Sequence, residues 1–101
     1  MMQKARTEGI RWQLISILNK ARPHATSEQF LLEVLRQLYP DITGIELRRE
    51  LDYLADRKLV DIVKQPIGLW FADLTRLGVD LAEYTIDCQP GIARPEKYWE
   101  S

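Results

Sequence analysis

The sequence predicts an α+β fold: three helices, a two-stranded β-hairpin, a fourth helix and an extended tail. Three observations carry that expectation. Apolar residues recur at helical spacing in several stretches. Hydroxyl side chains stand just ahead of those stripes, where a helix start needs an acceptor for its free amides. Two short runs rich in Val, Ile, Trp and Phe flank Gln65-Pro66-Ile67-Gly68, the punctuation of a tight hairpin.

In the first helix Ile10, Leu14, Ile17, Leu18 and Ala21 share a face. Pro23 ends it, because the residue before a proline is pushed out of the helical region. Thr26-Ser27-Glu28-Gln29 reads as a capping box, its hydroxyl accepting from a free amide while Gln29 reaches back. Leu31, Val34, Leu35 and Leu38 form the second stripe, which Pro40 stops. Thr43-Gly44-Ile45-Glu46 is another box, opening a third helix with Leu47, Leu51 and Leu54 inward. Leu59 docks as the chain leaves that helix. Val60 to Lys64 and Leu69 to Leu74 read as antiparallel strands, with Gly68 supplying a positive φ and Pro66 stiffening the loop. Thr75 caps a fourth helix with Leu77, Leu81 and Tyr84 along one side. Beyond Ile86, Asp87-Cys88-Gln89-Pro90-Gly91-Ile92-Ala93-Arg94-Pro95 cannot continue a helix, so residues 1–86 read as the domain and 87–101 as the tail. Two helices joined by a short turn and followed by a hairpin define a winged helix-turn-helix, whose second helix enters a major groove.

At 101 residues, 46% hydrophobic and 29% charged, the chain is expected to make one soluble domain. No apolar run approaches the ~20 residues that span a bilayer, and Met1-Met2-Gln3-Lys4-Ala5-Arg6 has no apolar segment behind it, so neither membrane nor export is expected. The single cysteine, Cys88, has no partner for an internal disulfide, which points to the cytoplasm. With one Cys and one His, no metal site of the usual kind is expected, and no cofactor. Catalysis requires a base, a nucleophile and an orienting group in reach of one another; with no such set, no catalytic residue is expected. Net charge is −1, but residues 1–24 carry Lys4, Arg6, Arg11, Lys20 and Arg22 against Glu8 alone. Residues 73–101 are acidic in balance, so a dipolar molecule could present one basic face.

Leu51-x-x-Leu54-x-x-x-x-Leu59-Val60, a hairpin, then Leu74-Thr75-x-x-Gly78 resembles the C-terminal half of many bacterial winged-helix repressors. The whole chain is similar to a family of small Mu-like prophage proteins with a winged-helix, arsenic-repressor-like domain. The likeness runs from Arg11 through Ala21-Arg22-Pro23-His24-Ala25 and Glu28, then through Glu46–Val60 and Trp70-x-Ala72-x-Leu74-Thr75-x-x-Gly78, to Pro90–Pro95. It implies a prophage-encoded regulator of transcription. Arsenic-type repressors hold metal through cysteines on the recognition helix, and this third helix has none, so metal sensing does not carry over.

The DNA-binding candidates are Thr43, Arg48, Arg49 and Asp52 at the exposed start of the third helix, with Lys64 and Gln65 in the wing. Arginine pairs with guanine edges, a carboxylate can accept from cytosine, and a wing lysine touches phosphate. Double-stranded DNA is the expected partner, bound by a homodimer because two half-sites combine the weak affinity of one. The rival expectation is a protein-interaction module of the same shape, used in phage assembly or host-factor binding. It rests on the acids Glu46, Glu50, Asp52 and Asp56, which offset Arg48, Arg49, Arg57 and Lys58 one for one, and on Ile67 at the loop tip. In that case the face is solvated and laced with pairs such as Arg49–Asp52. Of the aromatics, Phe71 is favoured over Trp70 for the core, Trp12 flanks it, and Ile92, Tyr98 and Trp99 are expected to dock the tail on this chain or a second copy.

Overall fold

The structure, a computed structural model, describes residues 2–97. They form four α-helices and a three-stranded antiparallel sheet, an arrangement compatible with a winged helix. The elements in order are α1 Met2–Ala21, β1 Thr26–Ser27, α2 Glu28–Leu35, α3 Gly44–Asp56, β2 Val60–Lys64, β3 Trp70–Leu74 and α4 Arg76–Ala82. Among the described residues no helix is long and apolar enough to cross a membrane.

Three helices start where a hydroxyl accepts from the backbone N–H three residues on: Ser27 from Phe30, Thr43 from Glu46 and Thr75 from Gly78. Two of these are the caps that the sequence predicts. The third moves by one residue, from Thr26 to Ser27, because Thr26 is drawn into β1, where it pairs with Ala72 and is buried. Gln29 then stands too early to close a capping box. A two-residue strand has no periodicity, so β1 leaves no trace in the sequence pattern. It turns the expected hairpin into a sheet of order β1-β3-β2.

The register Val60↔Leu74, Ile62↔Ala72 and Lys64↔Trp70 sends those side chains to one face, since successive residues alternate across a strand. Trp70, Ala72 and Leu74 therefore turn inward, and Trp70 rather than Phe71 packs against the core. The outer face sets Val63 opposite Phe71 and Asp61 opposite Asp73.

The core is aliphatic. Ile10, Leu14, Ile15 and Leu18 of α1 meet Leu31 and Leu35 of α2 and Leu47, Leu51 and Leu54 of α3. Ile15 replaces Ile17 in the buried stripe because α1 packs at once on α2, α3, α4 and β3, which shifts its inward face. Helix α2 stops at Leu35, leaving Leu38 exposed in the following turn. In α4 the inward residues are Gly78 and Leu81, while Leu77 is exposed. A Cβ at Gly78 would collide with the Leu59 carbonyl, so this close approach of α4 to the chain beyond α3 requires glycine.

The described part of the tail is not free. Ala93 donates its N–H to the Glu8 carbonyl at 3.1 Å, and Arg94 Nη1 donates to the carbonyls of Leu81 and Ile86 at 3.0 and 2.8 Å. Ile92 packs against the core. The expected docking of Tyr98 and Trp99 lies outside the described residues.

Candidate functional site

Helix α3 buries Leu47, Leu51 and Leu54 and, with them, the carboxylate of Glu50. Its flanks meet two different neighbourhoods, both built on arginine–carboxylate pairs.

On the flank facing α1, Arg6 holds Glu46 with two bonds, Nε–Oε2 at 2.8 Å and Nη2–Oε1 at 2.9 Å, and reaches Asp41 at 2.9 Å. The Arg6 guanidinium holds the Asp41 carboxyl below its ordinary pKa. Further along, Arg11 Nε donates to Glu50 at 2.7 Å and Nη1 donates to the Gly91 carbonyl at 2.9 Å, with the guanidinium 3.4 Å from the Tyr53 ring centroid. Two of the five bases in the N-terminal cluster are thus tied to acids beside or on α3, and do not form a basic face with it.

On the flank facing α2 and the hairpin, Arg48 donates to both oxygens of Glu28, at 2.7 and 2.6 Å. The same guanidinium donates to the Gly68 carbonyl and lies 4.5 Å from the Trp70 ring centroid. Glu28 also accepts from the Trp70 backbone N–H at 2.9 Å. One carboxylate at the start of α2 therefore fastens α3 to the hairpin. The Arg48 bonds, and then the Trp70 N–H, pull the Glu28 pKa below the ordinary carboxylate value against the opposing effect of burial. Beside this clasp Lys64 lies 3.5 Å from Asp52 and 4.3 Å from the Trp70 ring centroid.

The six sequence candidates thus divide. Arg48, Asp52 and Lys64 converge around Trp70, bound to partners within the chain. The expected solvent-facing position of Arg48 is corrected: it is half-buried in its pair with Glu28. The hydroxyl of Thr43 is occupied as the α3 cap. Gln65 closes the loop through its backbone, donating to Leu69 at 3.0 Å and accepting from Gly68 at 2.8 Å. Gly68 has φ 95°, as the loop requires. Arg49 is exposed and has no ion pair or hydrogen bond among the described residues; the expected Arg49–Asp52 pair is absent because Asp52 turns to Lys64.

Sequence reasoning missed Glu28 and the Trp70 ring, which lie 20 residues or more from their partner Arg48 in the chain. It also missed the cleft that adjoins them. This depression of about 420 Å³ lies between α2, α3 and the hairpin, with Leu32, Leu47 and Leu69 as its apolar walls and Gly44 open at one side. At its rim stands Ile67, 82% exposed, and at the start of α3 stands Ile45, 73% exposed. Among the described residues no group of three or more His, Cys, Asp or Glu could hold a metal ion. Comparison with family models, curated proteins and solved structures finds no match, so geometry alone bears on what this face does.

Proposed function

We propose that this chain is a winged-helix-shaped docking module whose α3–hairpin face binds protein. The observation that carries the reading is the state of Arg48. The arginine best placed to reach a base edge is instead held in a two-bond pair with Glu28, a carboxylate side chain only 12% exposed. Freeing it for guanine would take two of the three hydrogen bonds from a largely buried carboxylate and leave it the Trp70 N–H alone, which is costly. Beside the candidate contact residues, at the start of α3 and at the hairpin tip, stand exposed isoleucines, Ile45 and Ile67. Nucleic-acid affinity rests on cations that neutralise phosphate, whereas Arg6, Arg48 and Lys64 all face acids of this chain.

A second reading, a DNA-binding prophage regulator acting as a dimer, is supported by Arg49. It stands exposed, with no ion pair or hydrogen bond among the described residues, beside the capping Thr43 on α3. Fluorescence anisotropy against a set of short duplexes, at low and physiological salt, separates the two. The docking reading expects no preferred duplex and no change on Arg49→Ala. A selective complex that the Arg49→Ala variant loses would overturn it in favour of the regulator. Arg49→Ala is the cleaner variant, since removing Arg48 as well would open the clasp and confound binding with folding.

A further inference from the structure

The cleft beside the clasp has a feature that identifies its occupant. We infer that it is the interface of a homodimer, in which Ile67 of each copy sits in the cleft of the other. The inference rests on the reading of this face as protein-binding and names the partner as a second copy of the chain.

A two-fold interface must be self-complementary, because the same patch supplies both sides. This patch has both halves of such a contact. The cleft walls are the side chains of Leu32, Leu47 and Leu69, and its polar lining is Glu28 and Gln29. Glu28 already accepts three hydrogen bonds, from Arg48 and the Trp70 N–H. At the rim Ile67 stands at the tip of the hairpin loop, 82% exposed. A protruding apolar residue beside an apolar hollow is one knob and one hole on a single surface.

The charges favour the same occupant. Glu28 is paired with Arg48 and Asp52 with Lys64, so the patch carries no excess of either sign. Two copies can approach face to face without like-charge repulsion, whereas a strongly charged partner would find nothing to complement. Gly44 borders the cleft, and a Cβ there would meet nothing within 4 Å, so a longer side chain can be placed at that position without a clash at its Cβ.

Sedimentation velocity over roughly a hundredfold concentration range tests this, with thermal melts as the control for folding. The wild type is expected to dimerise with concentration. Ile67→Asp removes the knob, and Gly44→Gln fills the hole from a position with free space. Each is expected to weaken association about a hundredfold while leaving the melt unchanged, since both copies lose a buried aliphatic contact. Mixing the two variants gives the discriminating result. Ile67→Asp keeps its cleft and Gly44→Gln keeps its isoleucine, so the mixed dimer retains one seat where each parent retains none, and association should partly return. A dimer untouched by both variants, or a mixture no better than its parents, overturns the proposal. So does a wild type that stays monomeric. In that event duplex binding lost in Arg49→Ala would overturn the docking reading too, and absence of duplex binding would leave that reading standing with a foreign partner.

Discussion

The two flanks of α3 use the same chemistry and finish it differently. Towards α1, Arg11 and Glu50 are 16% and 4% exposed, and the pair is closed over by the Gly91 carbonyl and the Tyr53 ring. Towards the hairpin, Arg48 and Glu28 are 38% and 12% exposed, and beside them lies an open cleft with an isoleucine at its rim. The first flank is covered by the chain's own tail. The second has an equally well-made ion pair, flanked in the same way by the Gly68 carbonyl and the Trp70 ring, but it is less deeply buried and borders the open cleft. The proposed docking function rests on this contrast between a closed flank and an open one. The difference also separates two roles for arginine: Arg11 braces the interior, and Arg48 stiffens a surface that stays outside.

The comparison breaks most visibly at Arg11. Arg11→Ala leaves the Glu50 carboxylate buried without its cation and releases Gly91, so urea denaturation should show a loss of about 3–5 kcal/mol. Limited proteolysis should then cut the tail sooner, since one of its anchors is gone. A loss under about 1 kcal/mol would mean that Glu50 reaches water and the flank is not closed.

Arg48→Ala should cost less, about 1–3 kcal/mol, because Glu28 keeps the Trp70 N–H and has solvent nearby. This variant sharpens the contrast through pH. Glu28 has a lowered pKa when folded, so its contribution is fully present above the unfolded-chain pKa and is lost as pH falls through the folded value. The wild type should therefore lose stability in acid below the ordinary carboxylate range, and Arg48→Ala should lose much less over the same window. Parallel stability curves for the two proteins would show that the clasp does not hold Glu28 ionised.

The smallest expected effect lies away from both flanks, on the outer face of the sheet. Asp73 faces Asp61 across β2 and β3, and burial first, then that neighbouring charge, raises its pKa. A raised carboxyl pKa destabilises the fold at neutral pH and ceases to do so as pH falls to the unfolded value. Asp73→Asn should thus add up to about 1 kcal/mol at pH 7, with the gain shrinking in acid. A gain that is constant with pH would place its origin elsewhere.

Much of the fold was legible because its signals are local. Thr43 and its stripe of Leu47, Leu51 and Leu54, the strands after Leu59, and the glycine at position 68 each depend on neighbours within a turn or a pleat. The errors arose where tertiary contact chose between near-equal options. Thr26 and Ser27 are both good caps, and pairing with β3 decided between them. Ile15 and Ile17 are both apolar, and the elements surrounding α1 selected Ile15. The candidate site was legible only as a charge balance. That residues 46–58 carry four acids and four bases was plain, but which acid holds which base was not. Arg48 finds Glu28 twenty residues away and Arg11 finds Glu50 at 39, distances at which spacing in the chain has no influence.

The central claim is that the α2–α3–hairpin face is the uncovered one and meets protein. Backbone amide NMR on a dilution series of the full chain tests it most directly. The expected result is a concentration-dependent shift of the Gly44, Ile67, Gly68 and Leu69 amides, with those of Tyr53, Gly91 and Ala93 unmoved. Shifts confined to the tail side, or amides still at every concentration that respond around Arg49 when a short duplex is added, would contradict it.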